Sequence, residues 1–150
     1  MAGVDLTHIP YKGSTPAVTD LIAGQVQIMF DVTPTSLPQI TAGKLRPLGV
    51  TTTERLPFLP DVPTIDSFLK GYEASGWIGF GVPKGTAPEI IATLNKQTNA
   101  AVLDPNIKQR FADLGAVVVP PNSLDEFAKF IAENIDKWTK VIKFAGIKPD

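Results

Sequence analysis

Short apolar runs, which are typical of strands, alternate along this chain with segments whose apolar residues recur at helical spacing. A proline-rich loop over residues 54–66 interrupts the alternation. Strands that alternate with helices favour a doubly wound α/β fold with a parallel sheet. In such folds ligands bind beyond the carboxyl ends of the strands. The predicted strands cover residues 6–11, 26–30, 45–51, 74–82 and 116–119.

Two turns each connect a predicted strand to a predicted helix. In the turn at residues 13–16, Thr15 is the predicted N-cap and Pro16 the first helical residue. Residues 31–34 repeat this start signal, and the helix that follows extends to about Ala42. Both turns follow strands, so both lie on the ligand side, where the unpaired N–H groups of helix starts attract anions. The pattern predicts binding of a small acidic molecule.

Later helices are predicted from residues that cap their first turns. Thr86 and Glu89 form one capping-box pattern, and Ser123 and Glu126 form a second. Asp104 is the predicted cap of a helix between them. The last helix is long and amphipathic. Its predicted core face carries Phe127, Ile131, Ile135, Trp138, Ile142 and Ala145.

The two turns contain the residues that we expect to contact the ligand. Backbone N–H groups and hydroxyls around Gly13 either hold a carboxylate or simply begin a helix. Lys12 either adds positive charge beside the anion or is solvated. Asp31 either accepts a hydrogen bond from a ligand hydroxyl or amino group or bonds its own turn, and Thr33 either contacts the ligand or caps its helix. The predicted ligand-binding residues are Tyr11, Lys12, Gly13, Ser14, Thr15, Asp31 and Thr33.

Composition narrows the classes of partner. The 150-residue chain is 43% hydrophobic and 19% charged, as ordinary globular proteins are. No apolar run approaches the length of a membrane span. The net charge is −1, and the basic residues form no cluster of the kind that nucleic-acid binding requires. We therefore expect no nucleic-acid partner.

Neither catalysis nor metal binding is predicted. The chain contains no cysteine, which excludes thiolate chemistry, and its one histidine is His8. A metal site would need carboxylates alone, and none cluster suitably. Ser14 and Ser36 lie outside any Gly-x-Ser-x-Gly elbow, and no carboxylate is clearly placed to orient His8. We expect no enzyme activity, no cofactor and a structural role for His8.

Five motifs occur in order along essentially the whole chain, and together they are specific although each alone is weak. They are H-I-P-Y-K-G-S-x-P-A-x-x-D-L-I-A-G-Q-V (His8 to Val26), M-F-D (Met29 to Asp31), A-G-K-L-R-P-L-G-V-T (Ala42 to Thr51), L-P-D-V-P-T (Leu59 to Thr64) and W-x-K-V-I-K-x-A-G-I-K-P (Trp138 to Pro149). With these motifs and spacings, the chain resembles the substrate-binding proteins of tripartite tricarboxylate transporters, also called Bug proteins.

This resemblance implies a partial α/β fold of the type II periplasmic-binding-protein class. Residues 1–71 would form the latter part of the second lobe, and residues 72–150 the crossover strand and C-terminal helices that complete the first lobe. The resemblance also implies a periplasmic location and a small organic carboxylate clamped between the lobes. The implied partners are membrane transporter subunits, which sense closure of the lobes.

The family's pattern extends well upstream of Met1, so we expect a truncated chain that corresponds to the C-terminal half. The glycine-rich ligand loop of the first lobe and the glycine- and threonine-rich loop of the second are missing from it. Missing strands are expected to leave sheet edges and apolar surface uncovered. This predicts self-association, or pairing with a complementary fragment. The alternative function is a cytoplasmic ligand-sensing or structural α/β module derived from such a protein.

Overall fold

The regular structure of this chain is helical. A computed structural model describes residues 2–147, and the helices that it contains follow the order of those predicted from the sequence. They are α1 (Ser14–Ile22), α2 (Thr33–Thr41), α3 (Pro88–Ala101), α4 (Pro105–Asp113) and α5 (Leu124–Ala145), with a short 3₁₀ turn at Ile65–Ser67 between α2 and α3.

Glycines end α1 and α2, as predicted. Gly24 and Gly43 have φ angles of +77° and +69°, a left-handed conformation that glycine adopts without a Cβ penalty. After α1, the N–H of Gly24 donates to the carbonyl of Leu21 at 3.1 Å, and the N–H of Gln25 donates to that of Asp20 at 2.8 Å. These two bonds satisfy carbonyls that the helix end would otherwise leave unpaired.

Side chains cap α4 and α5, which confirms two predictions. The Oδ1 atom of Asp104 accepts from the N–H of Asn106 at 2.7 Å at the start of α4. At the start of α5, the Oγ atom of Ser123 accepts from the N–H of Glu126 at 3.2 Å, and Oε2 of Glu126 accepts from the N–H of Ser123 at 2.8 Å. The bonds from Ser123 hold the pKa of the Glu126 carboxyl below its ordinary value.

The predicted caps of α1 and α3 are wrong. Gly13 precedes α1, so Thr15 lies inside the first turn, and no side chain caps this helix. At α3, the hydroxyl of Thr86 donates to the carbonyl of Pro83 at 2.8 Å and does not cap the helix. Threonine hydroxyls form such local bonds readily, and these compete with the capping geometry.

The predicted strands are the largest difference between expectation and structure. Within residues 2–147, strand pairing is limited to a parallel bridge between Val50 and Thr64. Its bonds run from the N–H of Val50 to Pro63 and from the N–H of Ile65 to Val50, both at 2.9 Å. An apolar run becomes a strand only when a neighbouring strand accepts and donates its backbone hydrogen bonds. The segments that form no ladder cover residues 6–11, 26–30, 74–82 and 116–119.

The described residues divide into two compact units. The first contains residues 2–80 and 108–118, and the second contains residues 81–107 and 119–147. The first unit includes α1 and α2, which contact each other. The second includes α3 and α5.

The core of the first unit is small. Ala17 and Val18 on α1 are buried, as are Val50 at the bridge and Val62 in the loop that leads to it. Packing of α1 thus accounts for half of the buried apolar side chains in this unit. In the second unit, none of the described residues is buried. The fully buried apolar side chains of the described residues therefore all lie in the first unit, on α1 and near the bridge.

Hydrogen bonds of asparagine side chains join α3 to the start of α5 in the second unit. Nδ2 of Asn99 donates to the carbonyl of Asn122 at 2.7 Å, and the N–H of Asn122 donates to Oδ1 of Asn99 at 3.1 Å. Nδ2 of Asn95 also donates to that carbonyl, at 3.2 Å. Because Asn122 directly precedes the Ser123 cap, these bonds position the first turn of α5.

Gly115 follows α4 and lies against the start of α2 in the first unit. Its φ angle is +75°, and it is buried. A Cβ atom built on Gly115 would lie 3.0 Å from Cδ2 of Leu37 and 3.3 Å from both the carbonyl carbon and Cβ of Thr33. A side chain at this position would therefore crowd the start of α2 and require these neighbours to shift by a few tenths of an ångström.

We expect Gly115→Ala to destabilise the protein more than Gly43→Ala does. Both glycines have positive φ, so each substitution strains the backbone by about 1–2 kcal/mol, but a Cβ at Gly43 meets no atom within 4 Å. Crowding against Thr33 and Leu37 adds about 1–3 kcal/mol for Gly115→Ala alone. Urea unfolding of both variants measures the difference, and equal losses would show that the contact contributes nothing.

Candidate functional site

The turn at Gly13 presents the start of α1 without a side-chain cap. Gly13 has φ +109° and ψ 175°, and an added Cβ would meet no atom within 4 Å. The space next to this turn is therefore open. Ser14 is half-buried and Thr15 is exposed. The first N–H groups of α1 thus remain available to an acceptor from outside the helix.

Tyr11 and Asp20 are joined across this turn. The Tyr11 hydroxyl donates to Oδ2 of Asp20 at 2.8 Å, which ties the segment entering the turn to the second half of α1. This hydrogen bond raises the pKa of Tyr11 above its ordinary value, and partial burial and the negative charge of Asp20 raise it further. Lys12, between Tyr11 and Gly13, is exposed.

Asp31 carries a shielded carboxylate just before α2. Both of its carboxylate oxygens are inaccessible to solvent and accept no hydrogen bond from the described residues. A buried acceptor without a donor is costly, so such groups are rare in folded proteins. No described residue therefore supplies a hydrogen-bond donor to the buried carboxylate of Asp31.

Thr33 is the first residue of α2, and Val32 is its N-cap. No side chain caps this helix either, so of the two alternatives for Thr33 the one in which it caps its helix is wrong. Thr33 lies beside Gly115, as described above. The start of α2 is consequently packed on one side, whereas the start of α1 is open.

All of the predicted ligand-binding residues belong to the first unit. The structure brings Tyr11 close to Asp20, which the sequence analysis did not single out, and places α1 in contact with α2. That both helix starts lie on the ligand side stays a prediction. Asp20 lies on the helix that Tyr11 precedes, but nothing in the sequence indicated that the two side chains meet.

A second feature of the first unit was not anticipated from the sequence. An open cavity of about 190 Å³ is lined mainly by apolar atoms and includes none of the predicted ligand-binding residues. Lys108 is the one charged residue that lines it. The cavity forms where the proline-rich loop meets α4 and the segment after α4, which are distant from the loop in sequence. It is lined by Pro57, Phe58, Lys108, Ala112, Ala116, Val117 and Val118.

Neither a metal site nor a membrane helix is found within residues 2–147. No group of three or more His, Cys, Asp or Glu side chains in that range is arranged to hold a metal ion. None of the helices there is long and apolar enough to cross a bilayer.

A family profile described as the tripartite tricarboxylate transporter family receptor matches residues 1–147. The chain belongs to this family. It is 38% identical over 149 residues to the protein BugT of Bordetella pertussis, a match that covers 97% of this chain and 45% of BugT. This confirms the resemblance that the five motifs indicated.

Two solved structures have the same fold. One is the R. palustris protein Rpa4515, which was solved with adipate. It is 38% identical to this chain with a TM-score of 0.90, and the match covers 100% of this chain and 50% of Rpa4515. The other is the periplasmic binding protein BugD, which is 37% identical with a TM-score of 0.81. This match covers 99% of this chain and 50% of BugD. The chain therefore has a partial periplasmic-binding-protein fold and spans about half the length of each of these three relatives.

The Tyr11–Asp20 bond can be tested by titrating tyrosine. The chain has two tyrosines, so in a Tyr72→Phe background the near-ultraviolet absorbance reports Tyr11 alone. We expect its pKa to lie above the ordinary value of 10.0 and to fall toward it in Asp20→Ala, because the acceptor and its charge are gone. Thr19→Ala, a neighbouring change on α1, is the control and should leave the titration unaltered.

The same bond predicts a pH dependence of stability. The folded-state pKa of Tyr11 is raised, so the contribution of the bond is fully present below about pH 10 and is lost as pH rises through the folded pKa. Urea unfolding over alkaline pH measures this decline. A Tyr11→Phe variant with the same alkaline decline as the parent would contradict the assignment.

Proposed function

We propose that this chain is the solute-binding part of a tripartite carboxylate transport system and that it binds a small organic carboxylate in the periplasm. Membership of the receptor family supports the class of function. The similar structure solved with adipate supports the class of ligand. The observation that carries the proposal for this chain is the uncapped, open start of α1 after Gly13.

The chemistry of binding is that of an anion at a helix N-terminus. The aligned peptide dipoles of a helix place about half a positive charge at its first turn. The N–H groups there point outward and have no partner within the helix. Side chains already occupy this position on α4 and α5, through Asp104 and Ser123. At α1 the position is free for the carboxylate of a ligand, with Ser14, Thr15 and Lys12 beside it.

The start of α2 has a different role in this proposal. Asp31 already places a negative charge before α2, which disfavours a second carboxylate at that position. Its oxygens accept a hydrogen bond from a hydroxyl or amino group of the ligand, with Thr33 next to it. Since these oxygens are shielded, such contact requires the covering groups to move. A ligand with one carboxylate end and one donor end suits the two turns.

No covalent step and no cofactor is part of this function. Binding ends with closure around the solute, and the closed state is recognised by membrane transporter subunits. Residues 1–71 contribute the ligand-side turns of the second lobe in this scheme, and residues 72–150 contribute to the first lobe.

Chemical-shift changes of the backbone amides on adding ligand test this proposal directly, even where the affinity is weak. In a ¹⁵N-labelled sample titrated with adipate or malate, we expect the largest shifts at the amides of Ser14 and Thr15, because these donate to the carboxylate. Saturable shifts there support the proposal. Largest shifts at residues 116–118, which line the apolar cavity, would place binding elsewhere and refute it.

A matched pair of glycine variants tests the role of the turn. Gly13→Ala and Gly24→Ala both introduce a side chain at positive φ, at opposite ends of α1, where a Cβ meets no atom. Gly13→Ala should weaken carboxylate binding by about tenfold, or about 1.4 kcal/mol, because it displaces the donating amides. Gly24→Ala should lose similar stability without losing affinity. Equal affinity of the two variants for adipate would contradict the assignment.

We also infer that the chain in isolation self-associates through the predicted strand segments, whose backbone groups form no ladder within the described residues. Unpaired backbone groups next to exposed apolar side chains are a template for pairing with another chain. Light scattering during size-exclusion chromatography should give a mass above the 16.1 kDa of one chain and rising with concentration. A concentration-independent mass of one chain would refute this.

A further inference from the structure

The segment that enters the Gly13 turn is bent back toward α1. Asp20 follows Gly13 by close to two helical turns, so it lies about 10 Å along the axis from the helix start. Tyr11 lies before the turn, yet its hydroxyl donates to Oδ2 of Asp20 at 2.8 Å. A tyrosine side chain is shorter than the distance to be bridged, and the backbone accordingly bends at Lys12 and Gly13. The first N–H groups of α1 lie at the apex of this bend.

α1 is the fixed arm of the bend. Ala17 and Val18 on this helix are buried, and the backbone carbonyl of Asp20 accepts from the N–H of Gln25 at 2.8 Å. The helix and the backbone of Asp20 are thus held independently of Tyr11. The Asp20 side chain therefore offers Tyr11 a fixed acceptor, and a hydrogen bond to a carboxylate is stronger than one between neutral groups.

The entering segment is the weakly held arm. Among the hydrogen bonds of described residues, the Tyr11–Asp20 bond is the one that joins residues 2–13 to the rest of the chain. Gly13 has φ +109° and open space around it, and glycine by itself restricts the backbone little. Without the bond, Lys12 and Gly13 are free to fold over the first N–H groups of α1 or to fray its first turn.

We propose that Asp20 is a positioning residue for the carboxylate site at the start of α1, and that Tyr11 acts on this site by bonding Asp20 and not by contacting the ligand. This inference rests on the function proposed above. The Tyr11 hydroxyl gives its one proton to Asp20, so it has none left to donate to a ligand carboxylate. The bond holds Lys12 and Gly13 to one side and keeps the first N–H groups of α1 open.

The charge of Asp20 alone would have the opposite effect on binding. This charge lies about 10 Å from the helix start, which is roughly a Debye length at physiological ionic strength. Repulsion there weakly opposes an anion, so removing the charge should strengthen carboxylate binding slightly. Positioning predicts weaker binding instead, because the apparent Kd rises as the binding-competent population falls. The two roles therefore differ in the sign of the effect of Asp20→Ala.

Adipate affinities, measured from the ¹⁵N amide shifts of the chain, separate the two roles. Asp20→Ala and Tyr11→Phe should each weaken binding about tenfold, and the double variant no further, because both changes remove the same bond. Asp20→Asn should bind as the parent does, since its amide oxygen still accepts from Tyr11. Asp136→Ala, which removes a hydrogen-bonded carboxylate from α5, is the control and should change nothing.

Two outcomes of these titrations would overturn the proposal. One is adipate binding by Asp20→Ala that is unchanged or stronger than that of the parent. The other is an Asp20→Asn variant that binds as weakly as Asp20→Ala, since the acceptor would then not matter. If Asp20→Ala does not fold, Tyr11→Phe removes only a hydroxyl and gives the same test.

A measurement without ligand separates this proposal from the proposed function. ¹⁵N relaxation should give order parameters of about 0.85 for Gly13 and Ser14 in the parent and in Asp20→Asn, but below about 0.6 in Asp20→Ala. Equal order parameters in all three proteins would show that the bond does not hold the turn. A parent that shows the expected contrast but no saturable shifts with adipate would refute the carboxylate site, and with it the role of Asp20 in binding.

Discussion

Backbone hydrogen bonding of extended segments is the constraint on which this structure depends. A helix satisfies its N–H and C=O groups within one segment, but a strand depends on its neighbours. All five helices of the described chain form, whereas strand pairing in the same residues is reduced to one bridge between Val50 and Thr64. Regular structure therefore forms where an element can complete its backbone hydrogen bonds within its own segment, as a helix does.

The small core has the same origin. Ala17, Val18, Val50 and Val62 are buried where α1 and the bridge lie in one unit. Elsewhere amphipathic helices present apolar faces that no sheet covers. In the second unit, asparagine hydrogen bonds between Asn99 and Asn122 link α3 to the start of α5. Polar contacts of this kind fix geometry but add little stability beyond about 1 kcal/mol each.

The helix starts differ in whether a side chain already occupies the first turn. Asp104 and the Ser123–Glu126 pair fill the first turns of α4 and α5 with negative or polar groups. α1 begins after a glycine with no such group and with open space next to it. α3 also begins without a side-chain cap, so an uncapped start is not specific by itself. An acidic residue, Glu89, lies in the first turn of α3, whereas the first turns of α1 and α2 contain none.

The amino-acid sequence by itself determined the helices, their glycine ends, the caps at Asp104 and Ser123, and the family. These depend on residues a few positions apart, so local chemistry decides them. Tertiary structure alone decided that Tyr11 bonds Asp20, that Gly115 approaches Thr33, that Asp31 is shielded and that an apolar cavity forms near Lys108. Whether an apolar run becomes a strand also depends on partners distant in sequence, and for this reason five predicted strands yielded one bridge.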